Sequence, residues 1–189
     1  MLVKSPAMGD DGRVDKANAA STRVHVRTGR ASDAPDLAAI DAIAWSPQSG
    51  FPSVFSARAR SFFGPARPPE TYLVAEADGA VAGFLRLSPP TTLPENAHVL
   101  EVTAVAVHPD SRGIGVGSAL LAATVSRART RGARKLSLRV LSTNKPAISL
   151  YERNGFEREG VLRQEFLIDG VYVDDVIMAR HLAQRRGRP

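Results

Sequence analysis

The sequence predicts a chain of the α/β class, mixed α+β in detail: one sheet with helices packed on its faces. Three observations lead there. Two alternating apolar segments, Thr71–Ala77 and Ala80–Leu87, flank Asp78-Gly79, a two-residue turn that favours a hairpin. A long β-branched run, His98–His108, feeds a glycine-rich turn and then an apolar helical stripe. Strand and helix patterns alternate after that point, which is how layered α/β chains read.

Each element follows from its residues. Met1 to about Ser21 is rich in Ala, Asp, Gly and Ser without periodicity and is expected to be a disordered leader, so the folded domain is expected over residues 22–182 and a basic tail over 183–189. RVHVR (Arg23–Arg27) alternates as a first strand. Ser32 or Asp33 caps a helix running to about Trp45, with Pro35 in its first turn and Leu37, Ile40, Ile43 and Ala44 along its inner face. Ser46–Pro69 holds five Pro and two Gly and is expected to form a broken helical segment near Val54–Phe63 between loops. Ser88–Asn96, with three Pro, is not a strand. The run from His98 stops at Pro109-Asp110.

The second half is equally punctuated. Gly113–Gly117 opens a helix that runs to about Arg131, with Leu120, Leu121, Thr124, Val125 and Ala128 inward and Gly132 closing it. Arg134–Ser142 is a strand with Leu136, Leu138 and Val140 on one face. Pro146 starts a helix that ends at Asn154-Gly155. Short strands near Phe156–Glu159 and Val171–Met178 complete one domain without repeats.

Composition excludes several functions. The 189 residues contain no Cys, which removes disulfides, thiolate metal sites and Cys nucleophiles. The four His (His25, His98, His108, His181) have no helical i, i+4 spacing, so no metal site is expected. No apolar run approaches the roughly 18 residues of a membrane span, and no signal-like segment opens the chain, so no membrane partner and a cytoplasmic location are expected. The net charge of +6 favours anionic partners without choosing among them. With aromatics at 6%, single-strand nucleic-acid binding, which needs stacking platforms, is not expected.

Chemistry concentrates in Val105–Leu121. A strand ends, glycines bend the chain, and a helix begins whose first N–H groups lack intrahelical partners. Together with the helix dipole they form an anion site suited to a pyrophosphate. The segment is not a Walker A loop, because Gly117 is followed by Ser118-Ala119 rather than Lys-Ser/Thr. It is not a dinucleotide fingerprint either, because Gly113, Gly115 and Gly117 alternate.

Arg112-Gly113-Ile114-Gly115-Val116-Gly117 resembles the R/Q-x-x-G-x-G/A signature of the GNAT superfamily of N-acetyltransferases. Asn144-Lys-Pro-Ala147-Ile-Ser-Leu150-Tyr151-Glu-Arg-Asn-Gly155-Phe156 is similar to that family's second segment, N-x-x-A-x-x-L-Y-x-x-x-G-F. The resemblance spans about Val24 to Met178 and implies a central mixed, mostly antiparallel sheet of six or seven strands with helices on both faces. It implies transfer of an acetyl group from acetyl-CoA to a primary amine by direct attack. It places the CoA pyrophosphate on the N–H groups of about Arg112 to Ser118, Ile114 and Val116 among them. The pantetheine arm would lie along Ala104–Val107, hence Val105, Ala106 and Val107, with Asn144 bonding it.

The resemblance implies Tyr151 as general acid, two helical turns after Asn144; the alternative is a tyrosine packed at a helix–sheet junction. It implies Glu101, on the long strand, as general base; the alternatives are substrate positioning or an ion pair with an Arg. His108 is read as structural. Arg139 stands where the branch acting on a ribosomal protein's N-terminus has an acid. It either binds a substrate anion or is a surface residue. Trp45, Phe51, Phe55, Phe62 and Phe63 either wall the acceptor pocket or form core, and Asp174 and Asp175 either meet a cationic amine or sit solvated in a turn. The expected partner is a small-molecule amine, with a homodimer possible in this family. The alternatives are a protein N-terminal or lysine acetyltransferase, a non-catalytic acyl-CoA-binding relative, or a nucleic-acid-binding protein using its basic face.

Overall fold

The computed structural model describes residues 23–46, 49–51 and 62–182. The expected leader, the basic tail, Phe55 and most of the helical segment expected near Val54–Phe63 lie outside the described residues. Seven strands form one sheet: β1 (Val24–Thr28), β2 (Tyr72–Ala77), β3 (Ala80–Ser88), β4 (Val99–Val107), β5 (Lys135–Leu141), β6 (Glu157–Ile168) and β7 (Val171–His181). Their spatial order is β1-β2-β3-β4-β5-β7-β6. Only β4 and β5 run parallel; every other neighbouring pair is antiparallel. The mixed, mostly antiparallel sheet expected from the sequence is thus observed.

Helix α1 (Ala34–Ile43) packs on one face, with α2 (Val116–Thr130) and α3 (Lys145–Arg153) on the other. All five residues expected to line the inner stripe of α2 are buried, from Leu120 to Ala128. Leu120, Leu121, Val125 and Ala128 share one apolar cluster with Leu85, Leu100, Leu136 and Leu138 from three strands, β3, β4 and β5. The opposite face has a smaller cluster in which Leu37 and Ile40 of α1 pack on Tyr72, Val74, Phe84 and Ala106. Gly83 lets α2 seat closely. A Cβ there would stand 2.7 Å from the Ala106 carbonyl oxygen and 3.2 Å from Val116 Cγ1.

The β2–β3 hairpin turns through Asp78 (φ 49°) and Gly79 (φ 86°), the paired positive φ that a two-residue turn of this hand requires. Two expectations need correction. Ile43, expected on the inner face of α1, is 50% exposed, because it is the helix's last residue and the chain turns away there. The final two strands are longer than expected. β6 and β7 pair from Glu157↔Ala179 to Ile168↔Val171, with bulges that break the simple alternation and hid their extent.

Asp33 fixes the entry to α1. It is 5% exposed and accepts both Arg27 terminal guanidinium nitrogens at 2.8 Å and the Arg30 N–H at 2.7 Å. Arg27 Nε donates to Glu76 at 2.6 Å, so one guanidinium ties β1, β2 and α1 together. The Arg27 hydrogen bond holds the Asp33 carboxyl below its ordinary pKa, against the opposing pull of burial. A depressed carboxyl stabilises the fold above its unfolded pKa, and that contribution fades as pH falls through the folded value. Asp33→Ala should therefore lower unfolding free energy by about 3 kcal/mol at neutral pH. The loss should shrink as pH drops below ~4, measured by urea denaturation across pH. An unchanged midpoint would show that the clamp contributes nothing.

Candidate active site

The site begins where β4 and β5 separate. They pair only from Val99↔Lys135 to Val102↔Leu138. Beyond that, β5 stays on β7 as far as Leu141↔Asp175, and β4 stays on β3 as far as Gly83↔Val107. The register of β4 on β3 slips between Arg86 and Leu87: Ala104 faces Arg86, Val102 faces Leu87, and Thr103 is the extra residue. Such a bulge bends its strand and adds twist, here just where the two strands part. The His108 N–H donates to the Ala82 carbonyl at 2.9 Å. Antiparallel alternation then turns Ala106 and Ala104 toward β3 and leaves the N–H and C=O of Val105 and Val107 facing the gap.

At the top of the gap the chain bends. His108 Nδ1 accepts the Asp110 N–H at 3.3 Å, a structural role as expected from the sequence. Arg112 has its N–H on the Pro109 carbonyl at 3.2 Å and donates from Nη2 to the Ala44 carbonyl at 2.8 Å. Its amide is already used, and its side chain anchors the bend to the end of α1. Gly113 (φ 81°) and Gly115 (φ 94°) take conformations that favour glycine, and a Cβ on either would meet nothing within 4 Å. Gly115 is the N-cap of α2 and provides no side-chain cap. The first-turn amides of Val116, Gly117 and Ser118 thus open onto free space at the positive end of a 15-residue helix. Gly117 serves packing instead: a Cβ there would stand 2.9 Å from Leu150 Cδ2, so its absence lets α3 close on α2. Asn154 Nδ2 joins the same two helices by donating to Ser118 Oγ at 3.2 Å.

α3 supplies the other wall. Asn144 caps it, its side-chain oxygen accepting the Ala147 N–H at 3.2 Å, which leaves its NH₂ as the group able to donate into the gap. Tyr151 is 7% exposed, packs against Phe156 with ring centroids 5.9 Å apart, and borders the cleft. Burial pushes its phenol up to about 12.

The cleft, of about 1240 Å³, runs from the glycine bend through the gap to the α1 face of the sheet. Every cofactor residue expected from the sequence borders it except Ile114, whose side chain is exposed. Glu101 does not border it: it lies at the paired root of the strands, opposite Ser88 and Ser137. Arg139 is no isolated surface residue. Its Nε donates to the buried Asp175, and its Nη2 to Glu165 at 3.2 Å. Asp174 accepts the Gln164 N–H at 2.8 Å. Phe62 and Phe63 pack with Tyr72, while Phe51 meets Phe166 edge-on at 4.7 Å; Phe51, Phe62 and Phe166 also line the acceptor end, and Phe63 does not. Arg86 and Tyr72 also line it, and sequence reasoning missed both. The available signal was a single Arg inside the apolar run Ala80–Leu87.

A layered mixed sheet whose central strands part beside a glycine-opened helix defines the architecture of acyl-CoA-dependent acetyltransferases. Residues 34–156 match the model of the acetyltransferase (GNAT) family, and the chain belongs to it. It is 34% identical over 125 residues to a mycothiol acetyltransferase of Cellulomonas flavigena, covering 64% of this chain and 36% of that protein. It therefore spans about a third of the length of that relative. A GCN5-related N-acetyltransferase from Kribbella flavida superposes with a TM-score of 0.64 at 27% identity, covering 84% of this chain and 98% of that one. A phosphinothricin acetyltransferase from Sinorhizobium meliloti, solved with acetyl-CoA, shares the fold with a TM-score of 0.66 at 20% identity, covering 88% and 92%. Among the described residues no helix is long and apolar enough to cross a membrane, and no group of three His, Asp or Glu is placed to hold a metal.

The bend's role can be tested directly. Gly115→Asp places a carboxylate and a strained φ among the open amides. Affinity for acetyl-CoA should fall by about 100-fold or more in calorimetry. Unaltered affinity would place the anion site elsewhere.

Proposed function

We propose that this chain is an acetyl-CoA-dependent N-acetyltransferase acting on a small-molecule primary amine. The observation that carries the reading is the unpaired edge of β4 between the glycine bend and Tyr151. A pantetheine arm is an extended chain of amides, and a strand edge with outward N–H and C=O groups is the surface such a chain pairs with. The open space over Gly113 and Gly115 fits a pyrophosphate on the first-turn amides. When bound, acetyl-CoA supplies an activated acetyl thioester.

The chain's own groups then divide the work. The Val105 N–H, which faces the gap, is the donor available to polarise a thioester carbonyl. Tyr151 holds its proton at every neutral pH and offers it to a sulfur at its side. Burial pushes the phenol up to about 12, so the side chain is present as the proton-bearing phenol rather than as phenolate. Glu101, half-buried at the root of the gap, works at that depth through a water, which relays the proton lost by the attacking amine. The C–N bond forms as the C–S bond breaks, and with no Cys in the chain no thiol of the protein takes up the acetyl group.

A small acceptor is favoured by the shape of the cleft's far end. Phe51 meets Phe166 across the cleft lining and links the segment after α1 to β6, an apolar contact that supports the reading of a small acceptor.

Thiol release from acetyl-CoA with a panel of amines tests the activity. Tyr151→Phe should lower kcat by about 100-fold while leaving acetyl-CoA affinity nearly intact. Because burial pushes the phenol of the free enzyme up to about 12, the wild-type kcat/KM profile should show no alkaline limb from Tyr151 below about pH 11. Preserved kcat with lost CoA binding would contradict the role.

A further inference from the structure

Arg86 lines the cleft with its bonding visibly incomplete. It projects from β3 on the face that carries Phe84. Its Nη2 donates to the Ala66 carbonyl at 2.7 Å, which anchors one corner of the guanidinium. Its Nε is buried with no acceptor, and no ion pair is formed with it among the described residues. Arg139 is held by Asp175 and Glu165, and Arg112, like Arg86, by one backbone carbonyl, that of Ala44, but among the described residues neither keeps a buried nitrogen without an acceptor.

A buried N–H without an acceptor is destabilising, and native proteins rarely leave one without a reason. In a cleft, the reason at hand is an acceptor that arrives with a ligand. The surroundings specify its sign. The charges of Arg86 and Arg67 both act on the Tyr72 phenol, and Asp41 is the acid acting there against them. Arg67 is exposed and borders the same space. The other carboxylate lining the cleft, Asp175, is bound to Arg139. Among the described residues the charges acting at Tyr72 are thus two positive and one negative, a balance that disfavours a simple cationic amine and favours one that also carries an anion. A guanidinium anchored at one corner presents its remaining N–H groups as a planar fork, which matches the two oxygens of a carboxylate.

We infer that the acceptor is an amine bearing a carboxylate, an amino acid or a close relative, and that Arg86 receives that carboxylate at the acceptor end of the cleft. The inference rests on the acetyl-transfer reading and sharpens its substrate class.

The test measures kcat/KM for thiol release with the L-amino acids, their carboxamides, their decarboxylated amines, phosphoethanolamine and peptide N-termini. At least one amino acid should exceed its carboxamide by about 30-fold, the loss expected for charge-assisted hydrogen bonds. Arg86→Met should lower the amino acid's kcat/KM by that factor, chiefly through KM, and its carboxamide's by far less. Arg86→Lys should recover part of the preference. Acetyl-CoA affinity, read by calorimetry, should hold in both variants. Equal turnover of acid and amide, equal losses in the variant, or turnover confined to simple amines, phosphoethanolamine or peptides overturns the inference and leaves acetyl transfer standing. Acetyl-CoA binding without turnover of any arm overturns it too. Failure to bind acetyl-CoA at all overturns the acetyl-transfer reading, and the inference with it.

Discussion

Strands β4 and β5 hold together from Val99 to Val102 against Lys135 to Leu138, and then part. Each keeps its outer neighbour beyond that point, so the sheet remains continuous while its centre opens. The bulge at Thr103 gives the separation a local cause. Buried strand edges normally have every N–H and C=O paired, and an edge left open inside a domain is stable only if something else meets it. The rest of the site follows. The glycine bend ends β4 and aims the first turn of α2 at the top of the opening. α3 closes the side, held against α2 because Gly117 leaves room for Leu150.

Two buried carboxylates show how the same pairing serves different ends. Asp33 is enclosed by Arg27 and the Arg30 N–H, away from the cleft, and sets where α1 begins. Asp175 is 2% exposed and bound to Arg139, yet it stands on the cleft wall. Arg139 itself is half-exposed, and removing it would leave the buried Asp175 carboxylate without its charge partner. At the cleft it neutralises Arg139, while Arg86 keeps a buried Nε without an acceptor.

Much of this was legible in the sequence because it is written locally. The stripe of α2, the Asp78-Gly79 turn and the glycine bend each depend on residues within a few positions of one another. Helix period, turn chemistry and capping report them directly. The two motif segments brought Tyr151, Asn144 and the bend to one cleft, as their spacing implied. Long-range pairing was not legible. Arg139 and Asp175 are 36 residues apart, and nothing in either segment names the other. The site of the bulge decides how the residues of β4 are presented, and a bulge leaves no mark in a run of β-branched residues. Glu101 accordingly lies at the root of the opening rather than on its wall. Arg86 was passed over because a lone Arg in a strand looks like an ordinary solvent-facing residue until its neighbours are known.

The proposed function turns on one contact, the extended arm of coenzyme A along the outward amides of β4. Residue-resolved amide hydrogen exchange with and without acetyl-CoA probes that contact amide by amide. Val105 and Val107 should gain protection together with the first-turn amides of α2, while Ala104 and Ala106, turned toward β3, should change little. Protection that appears on α2 alone, with Val105 and Val107 exchanging as fast as before, would contradict it.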